Sequence, residues 1–171
     1  AQKRMTNLRW IICTMLFFAT TVNYLDRQVL SLTWDEFIKP EFHWNDVNYA
    51  NITAVFAIVY ALAQLFAGNI VDKLGTKRGY AVAIGVWSVG ACIHAVCVLS
   101  IGEGGNFPAA IKATAEYFPK KDRAYATAIF NSGSSIGALI APLTVPLLAK
   151  YYGWELAFII IGSLGFIWMA L

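Results

Sequence analysis

Asp26 and Arg27 stand side by side inside one apolar stretch, and Glu103 stands in another, within the run Gly102, Glu103, Gly104, Gly105, Asn106, Phe107, Pro108. Charges at such positions are expensive in hydrocarbon, and where they persist they mark substrate paths or proton relays. Neighbouring helix positions point about 100° apart, so Asp26 and Arg27 do not make an ideal ion pair with each other. Each needs its own partner or a water-filled cavity; the plainer alternative is that both lie near an interface and snorkel. A guanidinium suits a carboxylate ligand, because its donors form a rigid planar fork and it stays charged where water is scarce. Glu103 has two readings, a proton-binding carboxylate or a structural partner of Arg27. Its flanking glycines let a backbone or a ligand approach, and Pro108 removes a helix hydrogen bond just beyond.

Polar side chains recur further along in Asn131, Ser132, Gly133, Ser134, Ser135 and Gly137. Gly133 and Gly137 read as helix packing, while Asn131, Ser134 and Ser135 are equally readable as packing or as solute contacts. Tyr60 and Gln64, four residues apart, share one helix face and can line the same cavity, although packing is the stronger reading for Gln64. An enzyme is the least supported class. The chain has no nucleophile with a nearby base and no phosphate-binding glycine loop, since Gly102, Gly104 and Gly105 follow no strand. Cys13, Cys92 and Cys97 lack metal-ligand spacing with His43 or His94 and read as buried small hydrophobes; neither a metal nor a cofactor is expected.

The elements that must hold these residues are membrane spans. Apolar residues make up 58% of the 171-residue chain and charged residues 13%, well away from the balance of soluble domains. The apolar residues cluster into runs of about 20, enough to cross a bilayer core. Six spans are expected, over about 8–32, 46–71, 79–98, 100–118, 124–148 and 155–171. The first continues into Asn23, Tyr24, Leu25, Asp26 and Arg27 with no small-residue cleavage site, so it reads as a retained span rather than a signal peptide. Residues 34–45 read as an interfacial loop, after which Asn45 or Asp46 can cap the second helix. The net charge of +3 comes from clusters between spans, which argues against nucleic acid as a partner. Lys3, Arg4 and Arg9, then Lys73, Lys77 and Arg78, then Lys120, Lys121 and Arg123 fall on one side, against mainly Lys39 and Lys150 on the other. The positive-inside rule then puts the amino terminus in the cytoplasm. One interval resists: residues 80–118 must supply two helices and a reversal in a length that two spans already consume. Either a loop is missing or both helices are short.

Between the second and third spans the chain reads Gly68, Asn69, Ile70, Val71, Asp72, Lys73, Leu74, Gly75, Thr76, Lys77, Arg78. Gly75 permits a sharp reversal, and Asp72 is placed to engage a helix start or a basic partner, unless this is simply a solvated charged turn. The segment resembles the signature loop of the major facilitator superfamily. Together with Asn23 to Arg27 and the run from Gly102 through Pro119 to Pro142, it resembles the anion:cation symporter family, and within it the bacterial hexuronate transporters, which take up glucuronate and galacturonate with protons. The resemblance covers nearly the whole chain but one half of a family member, whose twelve spans form two six-helix halves around a midplane site.

That resemblance implies an all-α membrane protein of the bacterial cytoplasmic (inner) membrane, with six transmembrane helices forming the amino-terminal half of a proton-coupled symporter for a sugar-acid anion. It implies that Asp26 and Glu103 couple protons, that Arg27 holds a substrate carboxylate, that Tyr60 faces the sugar acid, and that Gly68, Asp72, Gly75, Lys77 and Arg78 form a cytoplasmic conformational latch. The partners would be the lipid bilayer, the anion, protons and the missing carboxy-terminal half. Rival readings are another organic anion, such as an aldonate or a dicarboxylate, and a membrane scaffold that transports nothing by itself. One departure stands out: the family carries an arginine seven residues before the span-four glutamate, where this chain has Val96. The departure and the short interval fit a missing segment of roughly 10 residues near 96–101.

Overall fold

The computed structural model describes the backbone of residues 2–94 and 96–170 and the side chains of residues 8–94 and 99–170. Every regular element among them is helical: α1 (Gln2–Thr33), a π-helical turn (Trp34–Ile38), the single-turn α2 (Lys39–Phe42), α3 (Asp46–Leu74), α4 (Thr76–Cys92), α5 (Val96–Tyr117), α6 (Arg123–Tyr152) and α7 (Trp154–Ala170). The long ones, α1 and α3 to α7, correspond to the six expected spans. Leu8–Phe42, Asp46–Leu74 and Arg123–Tyr152 are each long and apolar enough to cross a membrane, and α7 is apolar over its 17 residues.

Residues 34–42 are not a loop. The first helix continues to Phe42, because Trp34, Ile38 and Phe42 fall at helical spacing and Trp34 and Ile38 are buried, a pattern that belongs to one helix face. Thr33 donates its hydroxyl back to the Val29 carbonyl at 2.7 Å, and the Lys39 amide reaches the Trp34 carbonyl, five residues back. That longer step widens the helix locally into a π turn. His43, at φ +53°, ends it. Of the two candidates, Asn45 caps α3, its side chain accepting from the Asn48 amide at 3.1 Å.

The polar turn expected over residues 72–78 contracts to a single residue. Gly75, at φ +79°, takes a backbone conformation that side chains disfavour, so α3 runs through Leu74 and α4 starts at Thr76. Lys73 therefore ends one helix, and Lys77 and Arg78 open the next. The two helices touch at once, since a Cβ on Gly79 would lie 2.9 Å from Val71 Cα.

The crowded 80–118 interval holds both helices by shortening their connection. Span three ends at Cys92 instead of residue 98, and span four starts at Val96 instead of residue 100. His94, at φ +57°, makes the reversal. The side chains of Val96 and Cys97, the whole of Leu171 and the side chains of Lys3 and Arg4 lie outside the described residues. α6 runs to Tyr152, past the expected end at 148, with Pro142 and Pro146 inside it. Gly153, at φ +88°, then turns the chain into α7.

α1 lies at the centre, against α6 on one side and α7 and α5 on the other; α4 packs between α5 and α7, and α3 lies along α5. One apolar cluster joins Leu16, Trp87, Ala110 and Phe130 at mid-depth. A second joins Val29, Trp34, Val145 and Phe158 toward the end where α2 meets α7. That end, with the α1–α3, α4–α5 and α6–α7 connections, is the far end; Trp10 packed on Phe118 marks the near end. The outer face of α3 exposes Ile58, Leu62, Leu65 and Phe66, a contiguous apolar surface of the kind that lipid or another membrane segment covers.

Candidate carboxylate and proton site

Small residues bring the charged side chains together. A Cβ on Gly102 would land on the Trp87 backbone, and one on Gly104 would lie 2.9 Å from Ala63 Cβ and 3.2 Å from the Tyr60 carbonyl. α5 is thereby wedged against both α4 and α3, and Glu103 between those glycines points into the bundle with 1% of its surface exposed. On α1, Gly133 and Gly137 of α6 press against the backbone at Phe17 and Thr21, seating the turn that carries Asp26 and Arg27. These glycine contacts are the packing that the sequence suggested.

Arg27 and Glu103 meet. Nη2 donates to Oε2 at 2.9 Å and Nε donates to the same oxygen at 3.1 Å. The guanidinium lies inside an aromatic cage, 4.6 Å from the Tyr60 ring centroid, 5.4 Å from Phe56 and 5.5 Å from Tyr24, distances at which ring faces attract a cation. Five N–H groups belong to an arginine, so those left over from Glu103 remain available to a second carboxylate. The Arg27 side chain is 30% exposed while that of Glu103 is 0% exposed. A ligand can therefore approach the guanidinium from its open side with Glu103 behind it.

Asp26 has a different setting. It is 1% exposed, and neither carboxylate oxygen has a hydrogen-bond partner among the described residues. The Trp87 indole N–H approaches it but is likewise unpartnered, as is Glu103 Oε1. Unsatisfied groups at this depth are rare in folded proteins and call for a proton, water or ligand. Asp26 and Arg27 thus face different surroundings, as their angular separation on α1 requires.

Tyr60 lies beside Arg27, and its hydroxyl accepts from Gln64 Nε2 at 3.1 Å. Asn131 and Ser135 are exposed on α6, and Ser134 bonds the Asn131 carbonyl at 2.6 Å. None of the three contacts the Arg27 cage in this structure. Phe56 and Tyr24 were not anticipated. The signal for Phe56 was its place four residues before Tyr60 on the Tyr60–Gln64 face; Tyr24 precedes Arg27 by one helical turn.

At the near end Asp72 pairs with Lys112 Nζ at 2.7 Å, and the same amine donates to the Val71 carbonyl at 3.1 Å. One turn later on α5, Glu116 accepts from Thr76 at the start of α4. A cation thus lies at one helix C-terminus and an anion at the next N-terminus, each favourable for the helix dipoles. Lys77 and Arg78 are exposed, and a Cβ at Gly68 would meet open space. Lys112 and Glu116 escaped the sequence reading, though opposite charges four residues apart on an otherwise apolar helix were the cue.

A bundle of long apolar helices around a buried ion pair defines an α-helical integral membrane protein. The chain belongs to the Major Facilitator Superfamily, whose sequence profile matches residues 16–171. It is 34% identical over 177 aligned positions to the hexuronate transporter of Escherichia coli K12, covering 97% of this chain and 41% of that protein. It is 31% identical to the galacturonate transporter of Dickeya chrysanthemi, covering 96% of this chain and 51% of the relative. The probable galactarate/D-glucarate transporter of E. coli K12 is also 31% identical, over 99% of this chain and 42% of its own length. The chain thus spans about half the length, or less, of the curated relatives it matches. In fold it is similar to the crystal structure of a bacterial homologue of the human lysosomal transporter Spinster, inward-facing and unoccupied, with a TM-score of 0.80 and 21% identity over 95% of this chain and 42% of that one.

Proposed function

We propose that this chain forms the amino-terminal half of a secondary active transporter that carries a sugar-acid anion, a hexuronate first of all, together with protons. The observation that carries the reading is the Arg27–Glu103 pair: a caged guanidinium, open on one side, bonded to a fully buried carboxylate. The cation holds the substrate carboxylate, Tyr60 faces the sugar ring, and Glu103 and Asp26 carry the protons. A buried pair that a proton can dissolve is a switch, since its loss frees the guanidinium for the incoming anion. Names of relatives that handle hexuronate, galacturonate and galactarate/D-glucarate support the substrate class; the last of these favours an aldarate as the second candidate cargo.

Alternating access follows from rocking this half against a carboxy-terminal half, with Asp72, Gly75, Lys77, Arg78 and Gly68 as the near-end latch and Asn131, Ser134 and Ser135 completing the substrate path in other conformations. On this reading the near end, which carries the basic clusters, faces the cytoplasm of a bacterial inner membrane. Chemistry stops at binding and proton exchange, with no covalent step. The alignment to the E. coli hexuronate transporter runs over more positions than this chain has residues, so that relative carries residues that have no counterpart here.

The test uses the full-length protein in proteoliposomes. Glu103→Gln should abolish proton-driven accumulation of glucuronate or galacturonate while counterflow exchange continues. Accumulation that persists at the unmodified level in this variant removes Glu103 from proton coupling; failure of the unmodified protein to move any sugar acid removes the transport assignment.

A further inference from the structure

α3 and α4 touch where Gly79 meets Val71, and beyond that point an open groove of about 380 Å³ separates them. Leu62, Phe66 and Ile70 of α3 form one wall, and Val82 and Val86 of α4 form the other. A Cβ on Gly105 would lie 2.8 Å from Ala83 Cβ, so α5 comes close enough to make the floor. Every residue lining the groove is apolar, and Leu62, Phe66, Ile70 and Val82 are exposed. The groove is one leaflet long. Its α3 wall runs from Val59 to Val71, a rise of about 18 Å at 1.5 Å per residue, against about 15 Å for half of a bilayer's hydrocarbon core.

At the near end the same two helix stripes turn basic. Lys73 follows Ile70 by three positions on α3, and Arg78 precedes Val82 by four on α4, spacings that keep side chains on one helix face. Both cations are exposed, and neither has an acidic partner among the described residues, whereas Asp72 beside them is taken by Lys112. Lys77, next to Arg78, lines a different cavity, between α1, α4 and α7.

We propose that the groove and these two cations form a binding site for one anionic phospholipid, with an acyl chain lying between α3 and α4 and the phosphate held by Lys73 and Arg78. An apolar wall of this extent on a folded chain marks a surface that another apolar body covers. Single-leaflet length and a pair of unpartnered cations at headgroup level specify which body, because Lys and Arg beside a membrane surface attract anionic lipid. The phosphate bridges the end of one helix and the start of the next across Gly75, so the lipid braces the turn that α3 and α4 share. This site requires that the chain span a membrane, and it stands whether or not the cargo is a sugar acid.

The test is native mass spectrometry of the full-length protein, titrated in detergent with palmitoyl-oleoyl phosphatidylglycerol and, separately, with the zwitterionic phosphatidylethanolamine of the same chains. The first phosphatidylglycerol should bind at least tenfold more tightly than the first phosphatidylethanolamine. Lys73→Gln combined with Arg78→Gln should bring the two lipids within twofold of each other, since each cation at the surface contributes several-fold to anionic-lipid affinity. Lys77→Gln, whose side chain faces the other cavity, should keep the preference. Val82→Trp fills the groove from its exposed wall without touching either cation, and it should weaken phosphatidylglycerol at least tenfold; Leu62→Trp on the opposite wall should do the same. Equal binding of the two lipids by the unmodified protein, the outcome expected if a carboxy-terminal half covers the groove, would overturn the site. So would an equal loss in Lys77→Gln and the double variant, which marks diffuse charge attraction, or undiminished phosphatidylglycerol binding in both tryptophan variants, which removes the acyl chain from the groove.

Discussion

Replacing Glu103 by Gln should tighten sugar-acid binding at alkaline pH, against the usual expectation for a change in a binding site. Glu103 uses the Nε and Nη2 side of the guanidinium, which leaves Nη1 and the second Nη2 hydrogen for the substrate. A carboxylate held there would sit roughly 6 Å from Glu103, where two unit charges at an effective dielectric of about 20 repel by about 3 kcal/mol, a factor of ~100 in affinity. Glutamine keeps the shape and one carbonyl acceptor for Arg27 but carries no charge. At pH 9 the variant should therefore bind glucuronate 10- to 100-fold more tightly than the unmodified protein. The proton-coupling role proposed for Glu103 requires that difference to shrink toward unity at pH 6. Isothermal titration of the purified full-length protein in detergent at pH 6 and pH 9 measures both limits. Equal affinities at pH 9, or weaker binding by the variant at both pH values, would refute the idea that Glu103 and the substrate compete for one guanidinium.

Gly102→Ala should lower thermal stability markedly, because its Cβ would land on the Trp87 backbone and such overpacking costs about 1–3 kcal/mol; Gly68→Ala, facing open space, should hold or gain stability in the same melting assay. Gln64→Ala should raise the KM for the sugar acid by about 2- to 10-fold, the worth of one hydrogen bond that orients the Tyr60 hydroxyl, with the melting temperature unchanged. Asp72→Asn should shift the melting temperature little, since its side chain is 69% exposed and such pairs contribute at most about 1 kcal/mol; a changed maximal transport rate at constant KM is the expected readout of the latch.

The charged core was legible in the sequence because Asp26, Arg27 and Glu103 are conspicuous in apolar surroundings, and burial of a charge has few explanations. Which charge pairs with which was not legible: Arg27 and Glu103 lie 76 residues apart, and nothing local records that α5 brings its glycine face to α1. Tyr24 and Phe56 escaped notice because an aromatic ring in an apolar run reads as core, and only its position over a guanidinium makes it a cage. The cap of α3 was narrowed to Asn45 or Asp46, since capping depends on the adjacent residues alone, and Asn45 is the one that caps. Residues 34–42 were misread because Asp35, Glu36, Lys39 and Glu41 suggested solvent, while the spacing of Trp34, Ile38 and Phe42 on the other face carried the helical pattern. The one-residue turn at Gly75 and the short connection at His94 depend on positive φ values, which composition does not announce.

The separation between Arg27 and Glu103 also bears on how the protein is made. Synthesis proceeds at about 5–20 residues per second, so Arg27 leaves the ribosome roughly 4–15 s before its counter-charge. Through that interval α1 holds a guanidinium and an unpartnered carboxyl without α5, and without the glycine faces of α6 that later seat it. The first helix therefore waits longest for its native neighbours. Insertion machinery must shelter it, and a ribosome stalled between these two helices would leave behind a segment fit for disposal by membrane proteases.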